Sequence, residues 1–332
     1  MRYTSFEKSV YDKINNAIYD VTPGVLVQAY HDGRQICDLS VGSTQPYYDL
    51  ASLTKIIFTQ QAMMTAFDQG QWILESKVVD FIPHFFDPEM KITSLLTHTS
   101  QLDWWKPFYL DLAGSAEQDW TVKRQRLFNL LNSPDNIKTS EKAVYSDLGF
   151  LVLGFVLESI HQKNLLEVWK DLKEKFYPYS TLDFNVNNAK LFDENQYAPT
   201  EYCQIRGRAL RGEVHDENTW SMGGISSHAG LFGSVDDVAS YGLTVRSQLQ
   251  GIANYSVRQK IAQSFAVRAI PDRVGDWALG YMLPSLPSPS CGTSFSPTSI
   301  GHTGFTGTSM WYDIKTDLLI VVLSNQIGRT HV

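Results

Sequence analysis

The chain has 332 residues, 43% of them hydrophobic and 12% aromatic. That is enough for one large domain or two ordinary ones around a sizeable core. Its 28 basic against 35 acidic residues leave a net charge of −7, which argues against nucleic acid or an anionic membrane surface as the main partner. Cys37, Cys203 and Cys291 lie far apart, so they read as reduced thiols and give no disulfide framework. There is no Walker loop and no G-x-G-x-x-G signature. No run approaches the ~18 apolar residues of a membrane span. The N-terminus has no apolar signal-like stretch, so the expectation is a cytoplasmic protein. A periplasmic or secreted protein stripped of its signal peptide would begin in the same way.

Thr4 or Ser5 can cap a first helix, on which Phe6, Val10, Ile14 and Ile18 fall on one apolar face. Pro23-Gly24 punctuates it. Residues 25–30 read as a strand, Asp32-Gly33 is a hairpin signal, and 36–42 return as the partner strand. Next comes Asp49-Leu50-Ala51-Ser52-Leu53-Thr54-Lys55, which opens an apolar, helix-like run. From about 60 to 200 the patterns are mostly helical. Residues 92–100 predict a short helix running into a loop, followed by the aromatic patch Trp104, Trp105, Phe108 and Tyr109. Residues 148–160 form another apolar helix, and 178–220 are polar and irregular. Ser234-Val235-Asp236-Asp237 looks like a capping box for a helix through about Leu249. The last part turns to strands over 301–305, 308–314 and 318–325, with a turn at Lys315-Thr316-Asp317. Strands at both ends with helices between predict a sheet closed by the two termini.

Three local patterns carry chemistry. Ser52 and Lys55 are three apart, so on a helix they share a face. A desolvated lysine gives up its proton more easily than one in water, and a neutral amine can activate the serine hydroxyl. Ser5 and Lys8 have the same spacing, but no strand precedes them and they lie on a predicted surface helix. Tyr145-Ser146-Asp147 starts the helix over 148–160. A tyrosine beside a lysine cation can have its phenol pKa lowered and serve as a base. His302-Thr303-Gly304-Phe305 lies on a strand near the C-terminus. Such a strand can pair with an extended substrate, Gly304 permits close approach, and backbone N–H groups there and at Ser52 can form an oxyanion hole.

In this order the three patterns resemble the S-x-x-K and K-T-G marks of serine β-lactamases and penicillin-binding proteins. The middle tyrosine makes the sequence look closest to the branch of class C β-lactamases, D-Ala-D-Ala carboxypeptidases and esterases. Residues 95–102, Leu-Leu-Thr-His-Thr-Ser-Gln-Leu, resemble a segment common there, as do residues 212–218, the glycines from Gly223 to Gly233, and residues 319–325. The resemblance implies an α/β (α+β) fold of β-lactamase type. An antiparallel sheet of N- and C-terminal strands is flanked by helices and carries an inserted all-helical subdomain. The expected division is 1–58 with 205–332 as the sheet domain and 59–204 as the helical subdomain, with the site at their interface. The implied reaction is hydrolysis through a covalent acyl-enzyme. Its substrate would be a small molecule or short peptide: a D-amino-acid peptide, a β-lactam or, alternatively, an ester. Ser52 would be the nucleophile, Lys55 the base or proton relay, and Tyr145 the shuttle to the leaving group. Ser52 and Phe305 would supply the oxyanion hole, and His302 and Thr303 would line the substrate strand. No metal or other cofactor is expected. A catalytically silent penicillin-recognising protein is the remaining alternative.

Three departures from the family pattern stand out. Asp147 replaces the more usual Asn or Ser, and a carboxylate there favours charged lysine. His302 replaces the lysine of K-T-G and is mostly neutral above its ordinary pKa of ~6.5, a variant more like esterases and D-amino-acid peptidases. The chain also stops at Val332, where relatives continue into a helix on the sheet, so a partner subunit of a homodimer is one expected cover. Elsewhere, His215, Asp216, Glu217 and His228 lack a metal-ligand spacing and read as a site-shaping loop. Arg206, Arg208 and Arg211 can pair with a substrate carboxylate or lie on a surface loop. His98, in a tight turn, reads as a structural hydrogen-bonding residue.

Overall fold

The computed structural model describes residues 4–18, 21–112, 120–252 and 257–325. Helix α1 (Ser5–Ile18) leads into strands β1 (Gly24–His31) and β2 (Arg34–Gly42). Thr4 caps α1: its Oγ1 accepts from the Glu7 N–H at 3.1 Å, and Glu7 accepts in return from the Thr4 N–H at 2.8 Å. The β1–β2 turn is Asp32-Gly33, with φ of 50° and 72°, the left-handed pair that a two-residue hairpin requires. Val25, Val27, Ala29, Cys37, Leu39 and Val41 share one face and pack under Val10, Tyr11, Ile14 and Ile18 of α1. Phe6, expected on that apolar face, is 56% exposed. It lies in the first turn of α1.

A short strand β3 (Tyr48–Asp49) precedes a π-helical turn, Lys55–Gln60, which runs into α2 (Gln61–Asp68). Then come α3 (Ile92–Leu96), α4 (Tyr109–Leu112), α5 (Trp120–Leu131), α6 (Asp147–His161) and α7 (Leu165–Phe176). The region predicted as all-helical also holds strand residues: β4 (Asp183–Phe184) and β5 (Tyr202–Cys203), the latter paired with β6 (Arg208–Ala209). Strand β4 joins β3 through β7 (Leu231–Gly233) in a small sheet ordered β3-β7-β4. Two-residue strands leave too little alternation to be read from sequence. Helix α8 (Glu217–Ser221) lies between β6 and β7, and α9 (Val235–Gln250) and α10 (Gln259–Phe265) follow β7. Ser234 and Asp237 form the predicted capping box of α9.

Strands β8 (Ile300–Gly304), β9 (Thr308–Asp313) and β10 (Leu318–Ser324) complete the main sheet, in the order β2-β1-β10-β9-β8. All four of its ladders are antiparallel, and β1 meets β10 with Val27 opposite Val322. The first and last strands of the chain are thus neighbours, which makes β8 an edge. Leu319, Val321 and Leu323 point to the face opposite α1 and join an apolar cluster with Ile56, Phe58, Leu153, Trp169 and Tyr241. At Gly242 of α9 a Cβ would lie 2.6 Å from the Leu319 side chain, so the helix backbone packs directly on that leucine of the sheet. Residues 326–332, on which the expectation of a missing closing helix falls, lie outside the described residues. Among the described residues no helix is long and apolar enough to cross a membrane.

Candidate active site

The turn before Ser52 is held by Asp49, which is buried at 2% exposure. Its Oδ1 accepts from the Ala51 N–H at 2.9 Å and its Oδ2 from the His215 N–H at 2.7 Å. Ala51 has φ of +46°, a left-handed conformation costly for a residue with a Cβ and tolerated where the surroundings enforce it. The next turn is tight: the N–H groups of Leu53, Thr54 and Lys55 bond to the carbonyls of Leu50, Ala51 and Ser52. The following π-helical turn is a local geometry common at functional sites. This winding places Lys55 Nζ 2.9 Å from Ser52 Oγ. The β8–β9 turn is fastened to the same segment, because Thr306 Oγ1 donates to the Asp49 carbonyl and Thr308 Oγ1 to the Leu50 carbonyl. A Cβ at Gly304 would lie 2.7 Å from that Leu50 oxygen and 2.2 Å from Thr308 Oγ1, so this approach requires glycine. The N–H groups of Ser52 and Phe305, which flank this contact, have no hydrogen-bond acceptor among the described residues.

Tyr145 is placed by the start of α6. Ser146 caps the helix, accepting from the Gly149 N–H at 3.1 Å and donating to the Asp103 carbonyl at 2.7 Å. The Ser146 N–H donates to His98 Nδ1 at 3.0 Å. Burial, then Lys55 and His302, hold the His98 pKa well below its ordinary value, which fits a neutral ring accepting at Nδ1. His98 therefore has the structural role its turn suggested. The Tyr145 ring lies 4.8 Å from His98 and 6.1 Å from Trp277, and its OH donates to Ser52 Oγ at 2.7 Å.

Asp147, the next helix residue, reaches Lys55 Nζ at 2.6 Å. Lys55 Nζ also donates to the His228 carbonyl at 3.2 Å. Three acceptors around one nitrogen fit an ammonium with three N–H bonds. Lys55 is fully buried, and burial alone pushes it toward losing its proton, but Asp147 and Tyr145 outweigh that and raise its pKa above the ordinary value. Of the two readings of Lys55, easy deprotonation through burial and a charge favoured by Asp147, the structure supports the second. The Tyr145 phenol is raised as well, by burial and by Asp147 against the pull of Lys55, which corrects the expectation of a lowered phenol. At rest the site holds a lysine–aspartate ion pair and a neutral tyrosine, both hydrogen-bonded to the serine.

Ser52 opens onto a cavity of about 670 Å³, whose wall includes Trp104, Trp105, Tyr145, Asp147, Asp216 and Phe305. Of the predicted substrate strand only Phe305 reaches that wall among the described residues; its ring lies 5.1 Å from His215. Thr303 and Gly304 are not part of it. His302, expected to line the strand, is 1% exposed and packs 5.9 Å from the Tyr145 ring and 6.3 Å from Trp277. Period-two alternation on β8 turns it inward. Burial, with Lys55 nearby, brings its pKa down to about 3, so it is uncharged at neutral pH. Arg206 donates to Glu213 and to the carbonyls of Val214 and His215, Arg208 pairs with Glu213, and Arg211 donates to the Tyr197 carbonyl, so none of the three faces the cavity. Asp147, Asp216 and His228 gather with ligand atoms within 4.8 Å of one another, closer than their spacing suggests. Their polar atoms already pair with Lys55, with each other and with Ser226. Asp49 and the His228 carbonyl went unassigned in the sequence. Only Asp49 leaves a signal, an Asx turn two residues before Ala51.

Residues 17–331 match the Beta-lactamase family. The chain is 30% identical to the N-acetylmuramyl-L-alanine amidase of Bacillus subtilis (strain 168), over 92% of this chain and 77% of the relative. It is 29% identical to a putative D-alanyl-D-alanine carboxypeptidase of Escherichia coli (strain K12), over 89% and 73%. Among solved structures it shares the fold of EstCE1, a hydrolase with promiscuous acyltransferase activity. The TM-score is 0.74 at 18% identity, over 96% of this chain and 93% of that one. The match over nearly the whole length, on the sheet order and helices described above, establishes that the chain belongs to the Beta-lactamase family, whose members are generally serine hydrolases.

Proposed function

We propose that this protein hydrolyses an amide carbonyl through an acyl-enzyme on Ser52. The substrate class is a D-amino-acid or peptidoglycan-type peptide, or the amide of a β-lactam. One observation carries the reading: at the wall of a substrate-sized cavity, Ser52 Oγ is 2.9 Å from Lys55 Nζ and 2.7 Å from the Tyr145 OH. The names of the amidase and carboxypeptidase relatives support an amide substrate.

The ion pair sets the order of proton transfers. Lys55 passes one proton to Asp147 as substrate excludes water, because a dry site favours the neutral pair over the charged one. Ser52 attacks the carbonyl and its proton goes to the now neutral Lys55. The oxyanion is met by the N–H groups of Ser52 and Phe305. Tyr145 gives its phenol proton to the leaving group and regains one from Lys55, which takes back the proton held by Asp147. The site returns to its starting protonation with one acyl ester formed and one protonated leaving group released. Water then takes the place of the serine hydroxyl as nucleophile in a second round.

A second reading, an esterase, is favoured by His302. Buried and neutral, it offers no cation to a substrate carboxylate, and a simple ester needs none. A fluorescent penicillin and a p-nitrophenyl ester, each given to wild type and Ser52→Ala, separate the cases. Penicillin labelling that needs Ser52 supports the amide reading, and ester turnover alone supports the esterase. The enzyme reading would be sunk by neither probe depending on Ser52, which is the outcome a silent penicillin-recognising protein predicts.

A further inference from the structure

We infer that the cleft selects its substrate by positive charge, seating a primary ammonium group near the scissile carbonyl against Glu217, Asp216 and Glu201. This rests on the proposed acyl transfer at Ser52 and names the substrate class for it.

The cavity wall carries five carboxylates, Asp49, Asp147, Glu201, Asp216 and Glu217, and no lysine or arginine among its described residues. Lys55, behind Ser52, is tied to Asp147 at 2.6 Å, and Asp49 is sealed by two backbone N–H groups. Of the other three, Asp216 and Glu201 share a wall histidine each and Glu217 has no partner among the described residues. Glu217 forms no hydrogen bond or ion pair among the described residues and is half-buried on the wall. Such a carboxylate gains from a cation that arrives with the substrate. Asp216 accepts from the Thr219 N–H at 2.6 Å and lies 3.1 Å from His228 Nε2. Although burial opposes ionisation, His228 and Thr219 keep it anionic. Glu201 Oε1 lies 2.5 Å from His215 Nε2 with its side chain 40% exposed.

Distance places this negative wall beside the chemistry. Ligand atoms of Asp216 and Asp147 lie within 4.8 Å of each other, Asp147 Oδ1 is 2.6 Å from Lys55 Nζ, and that nitrogen is 2.9 Å from Ser52 Oγ. Trp104 and Trp105 add aromatic faces to the same wall, the second element of ammonium recognition. Arg206 and Arg208 are turned onto Glu213 and Arg211 onto the Tyr197 carbonyl, and His302 is buried. The basic side chains on the wall, His215 and His228, are each paired with a wall carboxylate, so a substrate carboxylate finds no free cation there among the described residues.

The test uses three ligands that differ only at nitrogen: D-alaninamide, N-acetyl-D-alaninamide and N-succinyl-D-alaninamide, which are cationic, neutral and anionic. Calorimetric binding to the Ser52→Ala protein reads charge preference without chemistry. Turnover of the matching p-nitroanilides by wild type reads acyl transfer. The expected order of affinity is cation, neutral, anion, with the cation at least about tenfold ahead of the neutral ligand. That ratio falls severalfold in 1 M salt and about tenfold in Glu217→Gln. Equal affinities, a preference for the anion, or failure of D-alaninamide to bind overturns the inference. A ratio unchanged by Glu217→Gln removes Glu217 from it, and if that variant does not fold, the three-ligand series and its salt dependence decide. Charge preference in binding without Ser52-dependent turnover supports the ammonium site and sinks acyl transfer. Ser52-dependent turnover indifferent to charge does the reverse.

Discussion

The chain contains two Ser-x-x-Lys sequences, Ser5 to Lys8 and Ser52 to Lys55, and they end in opposite environments. Both sit at the start of a helical run with the serine and lysine on one side. In the first copy both residues are exposed, on a helix with no fully buried residue. In the second, Lys55 is fully buried and bonded to Ser52, Asp147 and the His228 carbonyl. The difference teaches that spacing supplies only the shared face. Reactivity comes from groups brought in from 92, 93 and 173 residues away, and from the burial that makes their electrostatics strong.

The largest effect breaks the comparison outright. Ser52→Ala should lower kcat/KM by at least about 10³-fold, the scale of losing a nucleophile, whereas Ser5→Ala should leave it within twofold. Rates on whichever Ser52-dependent substrate is found would show this, and equal losses would mean the buried copy is not special. Next, Tyr145→Phe should cost about 10²- to 10⁴-fold in kcat, as for a lost general acid, with KM little changed. The first copy has no tyrosine within hydrogen-bonding distance of its serine among the described residues, so this variant isolates what the second has gained. A tenfold rise in KM with kcat intact would reassign the phenol to binding.

The Asp147→Asn variant converts the comparison into a pH profile. With Asp147 present the Lys55 pKa lies above its ordinary value, so wild type shows no lysine titration limb near neutrality. Removing the carboxylate leaves burial as the main influence, and burial favours the neutral amine. Lys55 would then lose its proton within the working range, and kcat/KM of Asp147→Asn should rise with pH through the new value. The gain is about tenfold for each pH unit below that pKa. A profile parallel to wild type would mean Asp147 does not set the charge of Lys55.

How much of this was legible depended on how local the cause was. The α1 cap, the Asp32-Gly33 hairpin, the Ser234 capping box and the last three strands are set by neighbours in sequence, and each lies close to its predicted place. Ser52, Lys55 and Tyr145 were singled out through the order of their motifs, and the structure brings Lys55 and Tyr145 each within hydrogen-bonding distance of Ser52. The pull of Asp147 on Lys55 was legible from the motif, whereas the Tyr145 phenol was misread because its direction depends on burial and on Asp147 together. His302 was misread because a strand edge in sequence does not say which of its alternate faces turns inward. The π-helical turn at 55–60 and the left-handed Ala51 left no mark, since both are imposed by tertiary contacts.

The smallest effects concern what holds each serine's turn, and here the two copies differ by one step. Thr4 caps the first helix in the open, with both members of its pair exposed. Thr4→Ala should cost about 1 kcal/mol at most, the usual value of an N-cap, read as a small shift in urea midpoint with activity unchanged. Asp49 does the corresponding work for Ser52 in the interior. Its removal in Asp49→Ala strands the N–H groups of Ala51 and His215, at about 1–3 kcal/mol for each group left unsatisfied. It also releases the left-handed Ala51, so that backbone can relax away from the oxyanion geometry. Asp49→Ala should therefore lower both the urea midpoint and kcat, while Asp49→Asn, which keeps one acceptor, should fall between. If Asp49→Ala lost stability but kept full kcat, Ser52 would be positioned by the π-helical turn and the β8–β9 contacts alone, and Asp49 would stand level with Thr4 as a cap.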